Sequence, residues 1–440
     1  MDPDNLKKGP LLKEYFIVKL KIKYMKPKAH LFFVDDDTMP VHIQKGFCGI
    51  IKIQQQNRAG NLNIAFFNQM ADIMNIKIGD LVYFYTLTKG QRKFFRLQDE
   101  DNFDKLEQGY YGVFKIVGKP FFSEDEIKGV YPLENYYIFG STENQNYSRF
   151  SLNVNGKVVK PPILYVRIPI KPIKHYEDLE NKFVDDNQAY IDKTDEGMLS
   201  TLLFKKIKRI GEERSITPIL PEEASKIARL IFKQKRKNFP LNIDHSNLIT
   251  NNDPEKEVKL ILSSADGRNF DLEAMLESYI LHRLNNDLPL NGLDDIIGDR
   301  NEIEFCGNQI QYGISGNKVD VLLLHKKELG GSTAYRYKAT VIELKRDQIK
   351  KEDITQIIDY QKWVAQLTTF NNLKAIQPVL IGKKTSIRIN QATKNKIREA
   401  LEKINELGVS TPLFFEYVLS GSGEEIEVSF NNFLIEDIIR

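Results

Sequence analysis

The spacing of apolar positions changes period along this chain, and the change divides it into parts. Up to about residue 170 the apolar residues come in short runs of strand length separated by polar turns. Residues 15–22 alternate in their second half, residues 48–53 form a short apolar run, and residues 81–85 follow a Gly79-Asp80 turn signal. Residues 110–117, 136–139 and 163–168 continue the series. This pattern predicts a β-barrel or half-barrel module with one or two helices, one of them near residues 68–74.

From about residue 175 to 245 the period becomes helical. Residues 200–206 are short and basic. Pro221-Glu222-Glu223-Ala224 reads as a helix start, with proline in the first turn and acids at the positive end of the helix dipole. Ala224, Ile227, Ala228 and Ile231 make one apolar face, while Lys226, Arg229, Lys233 and Arg236, followed by Lys237, lie on another. Such a cationic ridge either tracks a phosphate backbone or is simply a solvated face. Residues 238–254 are mostly polar and end in Asn251-Asn252-Asp253-Pro254, a linker signal.

The last part carries an amphipathic helix over residues 270–284, with Leu272, Met275, Leu276, Tyr279 and Ile280 on the buried side. Strands are predicted near residues 302–312, 318–325 and 335–344, a helix over 353–367, a strand over 377–382, a helix over 394–407 and a strand over 413–419. Strands in series followed by strand-helix-strand units predict an α/β sandwich on a mixed sheet. The expected fold class is therefore multi-domain α/β. A β-rich module spans residues 1–172, a basic helical segment and linker 173–254, and an α/β sandwich 255–440.

Composition narrows the function classes. The net charge of +3 is too small to mark a nucleic-acid binder by itself, but residues 201–240 hold eleven Lys/Arg against four Glu, a local +7. Two cysteines, Cys48 and Cys306, exclude a disulfide framework or a thiolate zinc site, and the six histidines show no His-x-x-x-His spacing. With neither a signal-peptide pattern at the N-terminus nor an apolar run of membrane-span length, a cytoplasmic protein without a membrane partner is expected.

Candidate chemistry concentrates in residues 319–360. Glu343 and Lys345, two apart in a strand, project to the same side as Val341. An acid-x-Lys triplet is common here, recurring at Glu126/Lys128, Glu180/Lys182 and Glu257/Lys259. The triplet at 343 is distinguished by closing an apolar strand, and Asp320 sits in the preceding one, Val319-Asp320-Val321-Leu322-Leu323-Leu324. A carboxylate in a buried strand must meet a cation or a hydrogen-bond network. Gln356 and Tyr360, four apart, share a face of the following helix, with Trp363 one turn on.

Asp320, Glu343-Leu344-Lys345 and Gln356-x-x-x-Tyr360, in that order, resemble the PD-(D/E)XK nuclease superfamily, in particular its RecB-like branch and the NucS type of catalytic domain. The resemblance covers residues 270–367, with Val319 in place of the signature proline. It implies a restriction-endonuclease-like fold and an Mg²⁺ (or Mn²⁺) site held by Asp320, Glu343 and the backbone carbonyl of Leu344. An upstream helical acid is also implied, for which Glu273 is the better match and Glu277 the runner-up. It further implies Lys345 beside the scissile phosphate and Gln356 and Tyr360 near substrate. The first half resembles PUA-like and EVE modules at Gly79-Asp80 and at residues 109–115, which implies aromatic rings (Tyr83, Tyr85, Tyr111, Phe121, Phe122) cradling a base, with the Lys89-Gly90 turn and Arg92-Lys93 meeting phosphates; the competing reading is that each ring simply fills a barrel core. The expected function is Mg²⁺-dependent cleavage of DNA in restriction or anti-phage defence, with the β-module reading sequence or a modified base. A mismatch or branched-DNA repair nuclease, possible as a homodimer cutting both strands, and an inactive nucleic-acid-binding protein stand as alternatives.

Overall fold

The short apolar runs of the first half pair into one sheet, and the strand series of the last part into a second. In the computed structural model the chain is mixed α/β, built on these two main sheets. The structure describes residues 27–87 apart from 36–38, 52 and 58; 109–123, 127–128, 137–138, 152–154, 157–159, 164–173, 190–191 and 215–233; and 249–435 apart from 313–316, 330–332, 368–372, 385–389, 408–409 and 422–425. The strand expected at residues 15–22, the short helical run at 200–206 and most of the 238–254 linker lie outside the described residues.

The first unit opens with β1 (Ala29–Asp35), α1 (Met39–Lys45), β2 (Phe47–Ile51), α2 (Ile64–Met74), β3 (Leu81–Leu87) and β4 (Gly109–Ile116). Short strands follow: β5 (Phe121–Phe122), β6 (Ile127–Lys128), β7 (Tyr137–Ile138), β8 (Leu152–Val154) and β9 (Lys157–Val159). The unit continues with β10 (Leu164–Pro172), β11 (Tyr190–Ile191), β12 (Ile216–Ile219) and α3 (Pro221–Lys233). The main sheet runs β12-β1-β3-β4-β10-β2, with β11 on β4 and β5 on β10, while β6/β7 and β8/β9 form separate pairs. β10 gives its first part to β2 and β5 and its last three residues to β4, so this long strand turns the sheet toward a half-barrel. Asn63 starts α2 by accepting from Ala65 N at 3.1 Å, the short polar cap that a helix N-terminus requires.

The helix with the basic ridge does not stand apart from this unit. β12 runs antiparallel to β1, from Ala29 opposite Ile219 to Phe32 opposite Ile216. α3 then seats Ala224, Ile227 and Ala228 in a core with Leu31, Tyr83, Tyr85 and Tyr110. Its apolar stripe needs a surface to cover it, and the β1-β3-β4 face supplies one. The aromatics read as a base cradle or a core are core. Tyr83, Tyr85, Tyr111 and Phe121 are buried, Tyr83 donates its hydroxyl to the Ala224 carbonyl, and the half-buried Phe122 stacks on Tyr165. Lys89, Gly90, Arg92 and Lys93 lie outside the described residues.

The second unit holds α4 (Glu273–Asn285), α5 (Asp294–Ile297), β13 (Ile303–Tyr312), β14 (Asn317–Leu329), β15 (Thr333–Gln348), α6 (Lys351–Leu367), β16 (Ile376–Lys383), α7 (Gln391–Leu407), β17 (Leu413–Ser420) and β18 (Glu427–Phe433). Its sheet order follows the chain, β13-β14-β15-β16-β17-β18. The β15-β16 and β16-β17 pairs are parallel, each joined by a helix, and the other pairs are antiparallel. Met275, Leu276 and Ile280 of α4 share a core with Val321, Leu323, Ile342 and Leu344 on one face. Ile357 and Val364 of α6 and Ile397 and Ile404 of α7 share another with Leu322, Leu324 and Val341. The sheet is thus sandwiched between helices, as strand alternation requires when both faces are covered. The core on the α4 side continues through Phe67, Met70 and Met74 of α2, so the two sheets are joined through packed helices.

Candidate active site

Asp320 and Glu343 meet because of register. β14 and β15 pair antiparallel with Val321 opposite Ile342, so Asp320 falls one step beyond that pair, facing Glu343. Both are buried, Asp320 7 % and Glu343 1 % exposed. Asp320 Oδ2 accepts from the Leu344 amide at 2.8 Å, and Oδ1 accepts from the Gln309 side chain at 2.8 Å. Lys345 reaches back along its own strand to place Nζ 2.6 Å from Glu343 Oε1. Glu343 Oε2 is buried with no hydrogen-bond partner among the described residues. An unpaired buried carboxylate oxygen is costly, and it marks a place where a cation would be favoured.

The strand that presents these groups ends in an irregularity. β15 pairs with β16 through Leu344 opposite Ile381, and the ladder then lapses until Gln348 meets Lys383. The intervening residues 345–347 have no ladder partner on β16, so β15 bulges at the site. Gly382 makes this possible: a Cβ there would lie 3.0 Å from the Asp347 carbonyl oxygen and 3.2 Å from Lys345 Cβ.

Two further acids lie on α4. Glu273, in its first turn, accepts from the Arg346 amide at 3.1 Å and lies within electrostatic reach of Asp320, Glu343 and Lys345. Glu277, one turn on, is buried, with Oε1 accepting from Asn308 and Oε2 from Gln309, each at 2.8 Å. The structure therefore brings Glu273 into the cluster, while both Glu277 oxygens are engaged by β13.

The titration of the cluster follows from charge crowding. Burial, then Asp320, pushes the Glu343 carboxyl up to about 9. Burial, then Asp320, raises Glu273 to about 7. Asp320 is raised by burial, against the pull of Lys345 and the Leu344 amide. Burial would lower Lys345, but Glu343 and Asp320 outweigh it and hold the ammonium well above the usual lysine range. Three carboxylates and one ammonium carry a formal −3 + 1 = −2 when all are ionised, a charge that protons or a divalent cation can offset.

On the other side of Glu343 stands α6. Tyr360 is buried, its hydroxyl accepts from the half-buried Gln356 side chain, and burial followed by the nearby Glu343 raises its pKa. Gln356 and Tyr360 line an open recess of about 330 Å³ with Asn317, Lys351, Thr355 and Asp359. Trp363 is packed in the α6–α7 core. Lys226, Arg229 and Lys233 lie on α3, whose first turn meets β15 where Glu222 pairs with Arg336; Arg236 and Lys237 lie outside the described residues.

Among the described residues no three His, Cys, Asp or Glu side chains converge at metal-ligand distances. The donor set nevertheless fits a hard divalent ion in chemistry and charge: it is all oxygen, it carries a formal −2 once its protons are displaced, and one buried oxygen has no hydrogen-bond partner among the described residues. The α4, β14 and β15 acids and the α6 pair, singled out in the sequence, are thus gathered around one end of the β14-β15 ladder. Sequence reasoning missed Gln309 and Asn308. The available signal was a Gly307-Asn308-Gln309 run interrupting an otherwise apolar strand. Compared with known proteins, the chain matches no family model and no curated sequence.

Proposed function

We propose that this chain is a Mg²⁺-dependent endonuclease of the PD-(D/E)XK type that hydrolyses DNA phosphodiester bonds. The observation that carries the reading is the cluster of buried Asp320 and Glu343 and half-buried Glu273 around Lys345, with one Glu343 oxygen lacking a hydrogen-bond partner among the described residues. A structural ion pair would need one acid and one base; this cluster holds three acids for one base, an excess that raises its own pKa values and is more typical of functional sites.

Asp320 and Glu343 would hold the metal, with the Leu344 carbonyl as a further ligand and Glu273 acting directly or through water. Mn²⁺ would serve in the same place. A bound divalent ion supplies a Lewis acid and a lowered pKa for water. The protein's own residues do the rest. Lys345, kept as an ammonium, orients the attacking water and offsets charge developing on the phosphate. Leu344 fixes the Asp320 carboxylate through its amide. Gln356 and Tyr360 offer a donor pair on the recess wall to the adjacent phosphate.

DNA is the proposed partner, approached through the recess beside α6 and the basic face of α3. A role in restriction or anti-phage defence fits a chain in which one unit selects and another cuts. Incubation of supercoiled plasmid and of modified and unmodified phage DNA with Mg²⁺ tests the reading. Cleavage by the wild type and its loss in Asp320→Ala and Lys345→Ala are expected. Equal cleavage by those variants refutes the site, and no cleavage under Mg²⁺ or Mn²⁺ refutes the nuclease. Cuts at a fixed offset from one motif indicate restriction, whereas cuts at mismatches indicate repair.

A further inference from the structure

The backbone of Gln309 departs from its strand. With φ at 52° it is one of two non-glycine residues in the left-handed region among those described, and it occupies a place between Asn308 opposite Val321 and Ile310 opposite Val319. A non-glycine residue in that conformation is strained and persists only where its surroundings over-determine it. The surroundings here are two buried carboxylates. The single amide nitrogen of Gln309 donates to Glu277 Oε2 and to Asp320 Oδ1, each at 2.8 Å, and so uses both of its hydrogens.

The neighbouring residue ties this bridge to the N-terminal unit. Asn308 is 1 % exposed, and its amide nitrogen donates to Glu277 Oε1 at 2.8 Å and to Asp72 Oδ1 of α2 at 2.9 Å. Its oxygen accepts from Asn75 Nδ2 at 3.0 Å. Asn75 in turn accepts from the Lys28 ammonium at 2.8 Å, and that ammonium also reaches Asn285 Oδ1 at the end of α4, at 2.7 Å. Hydrogen bonds thus run without a break from residues 28 and 75, through 308, 277 and 309, to Asp320. In a water-poor interior such a chain fixes orientation only if every link is satisfied, and these are.

We infer that Gln309 is a positioning residue for the proposed reaction, and that Asp72 and Asn75 of the N-terminal unit are built into the active site through Asn308 and Glu277. This rests on the nuclease reading of Asp320. Gln309 fixes which Asp320 oxygen is turned toward Glu343, while Asn308 fixes Glu277 so that Gln309 cannot swing away. Two consequences follow. The N-terminal unit is required for chemistry as well as for choosing substrate, and Glu277 acts on the site through Gln309.

The test compares wild type, Gln309→Met, Gln309→Glu, Asn308→Ala and the Asn308→Ala/Gln309→Met double variant in the full chain. Methionine keeps the shape without donors, and glutamate keeps the length but replaces the donor by a repelling acid. Circular dichroism and thermal unfolding first establish which variants fold. Plasmid cleavage with Mg²⁺ then gives kcat and KM separately, and calorimetric titration with Mn²⁺ gives metal affinity without any need for turnover. Removing a group that orients a metal ligand costs roughly 10–100-fold in affinity or activity. A fall of that size in kcat and in Mn²⁺ affinity is expected for folded Gln309→Met, with KM for DNA nearly unchanged. Gln309→Glu should fall at least as far, and the double variant no further than Gln309→Met, because Asn308 acts through the same bridge. A folded Gln309→Met or Gln309→Glu with wild-type kcat and Mn²⁺ affinity overturns the inference and leaves the nuclease reading standing. A wild type that binds Mn²⁺ but cuts nothing overturns the nuclease reading, and weaker Mn²⁺ binding by Gln309→Met would still sustain the positioning role. Neither binding nor cutting by wild type overturns both.

Discussion

Replacing Glu343 by glutamine should abolish cleavage and at the same time make the metal-free protein more stable. The carboxyl is 1 % exposed and pushed up to about 9 by burial and Asp320, against an ordinary value near 4.5. Between those two values the folded chain binds a proton that the unfolded chain has released. Wild-type stability therefore falls as pH rises through this window, by about 1.4 kcal/mol per pH unit for one proton. At about pH 7 the accumulated penalty is of order 3 kcal/mol. Glutamine stands in for the protonated carboxyl: it keeps an oxygen to accept from the Lys345 ammonium and removes the pH-dependent penalty. The expected net is a gain of about 3 kcal/mol near neutral pH, nil near pH 4.5 and larger toward pH 9. Urea unfolding in EDTA at several pH values measures it, and repetition with Mg²⁺ should reverse the order, since only wild type gains from the ion. A Glu343→Gln variant destabilised equally at all pH values, with and without Mg²⁺, would refute the crowding argument and make Glu343 an ordinary structural ion-pair partner.

Two further outcomes follow. Metal binding must displace the protons held by Glu273 and Glu343, raised to about 7 and about 9, so Mn²⁺ affinity should rise from about pH 6 to pH 9, roughly tenfold per pH unit for each proton released; calorimetry in buffers of different ionisation enthalpy counts those protons, and a flat profile contradicts the shifts. Gly292 has φ at 96°, and a Cβ there would fall 1.9 Å from the Phe430 carbonyl oxygen of β18, so Gly292→Ala should lose at least about 2 kcal/mol from backbone strain and displacement of that strand, read as a lower urea midpoint.

The elements themselves were largely legible in the sequence, because periodicity is a local property that either buries a stripe or does not. The α6 helix at Lys351–Leu367, the α4 helix at Glu273–Asn285 and the β13 to β17 series all stand within a few residues of where the apolar spacing puts them. β1, β12 and β18 were not foreseen. β12 has four residues, too few to show a period, and its place is set by pairing with β1 nearly two hundred residues earlier. Alternation also placed Glu343 and Lys345 on one side of their strand, and helical spacing put Gln356 and Tyr360 on one face; both groupings stand in the structure.

What the sequence determined by itself was therefore which residues share a face within one element, including the acids and the lysine of the candidate site. Only the tertiary structure decided which faces meet. Glu273 and Glu277 lie one turn apart on α4, and the tertiary structure separates them: Asn308 and Gln309 engage Glu277, while the chain leaving β15 engages Glu273. The basic helix looked like a separate segment until the sheet against which it buries its apolar stripe was in view. The hydrogen-bonded path to Asp320 joins residues more than two hundred positions apart, and no local pattern encodes a contact whose geometry exists only after both sheets have formed.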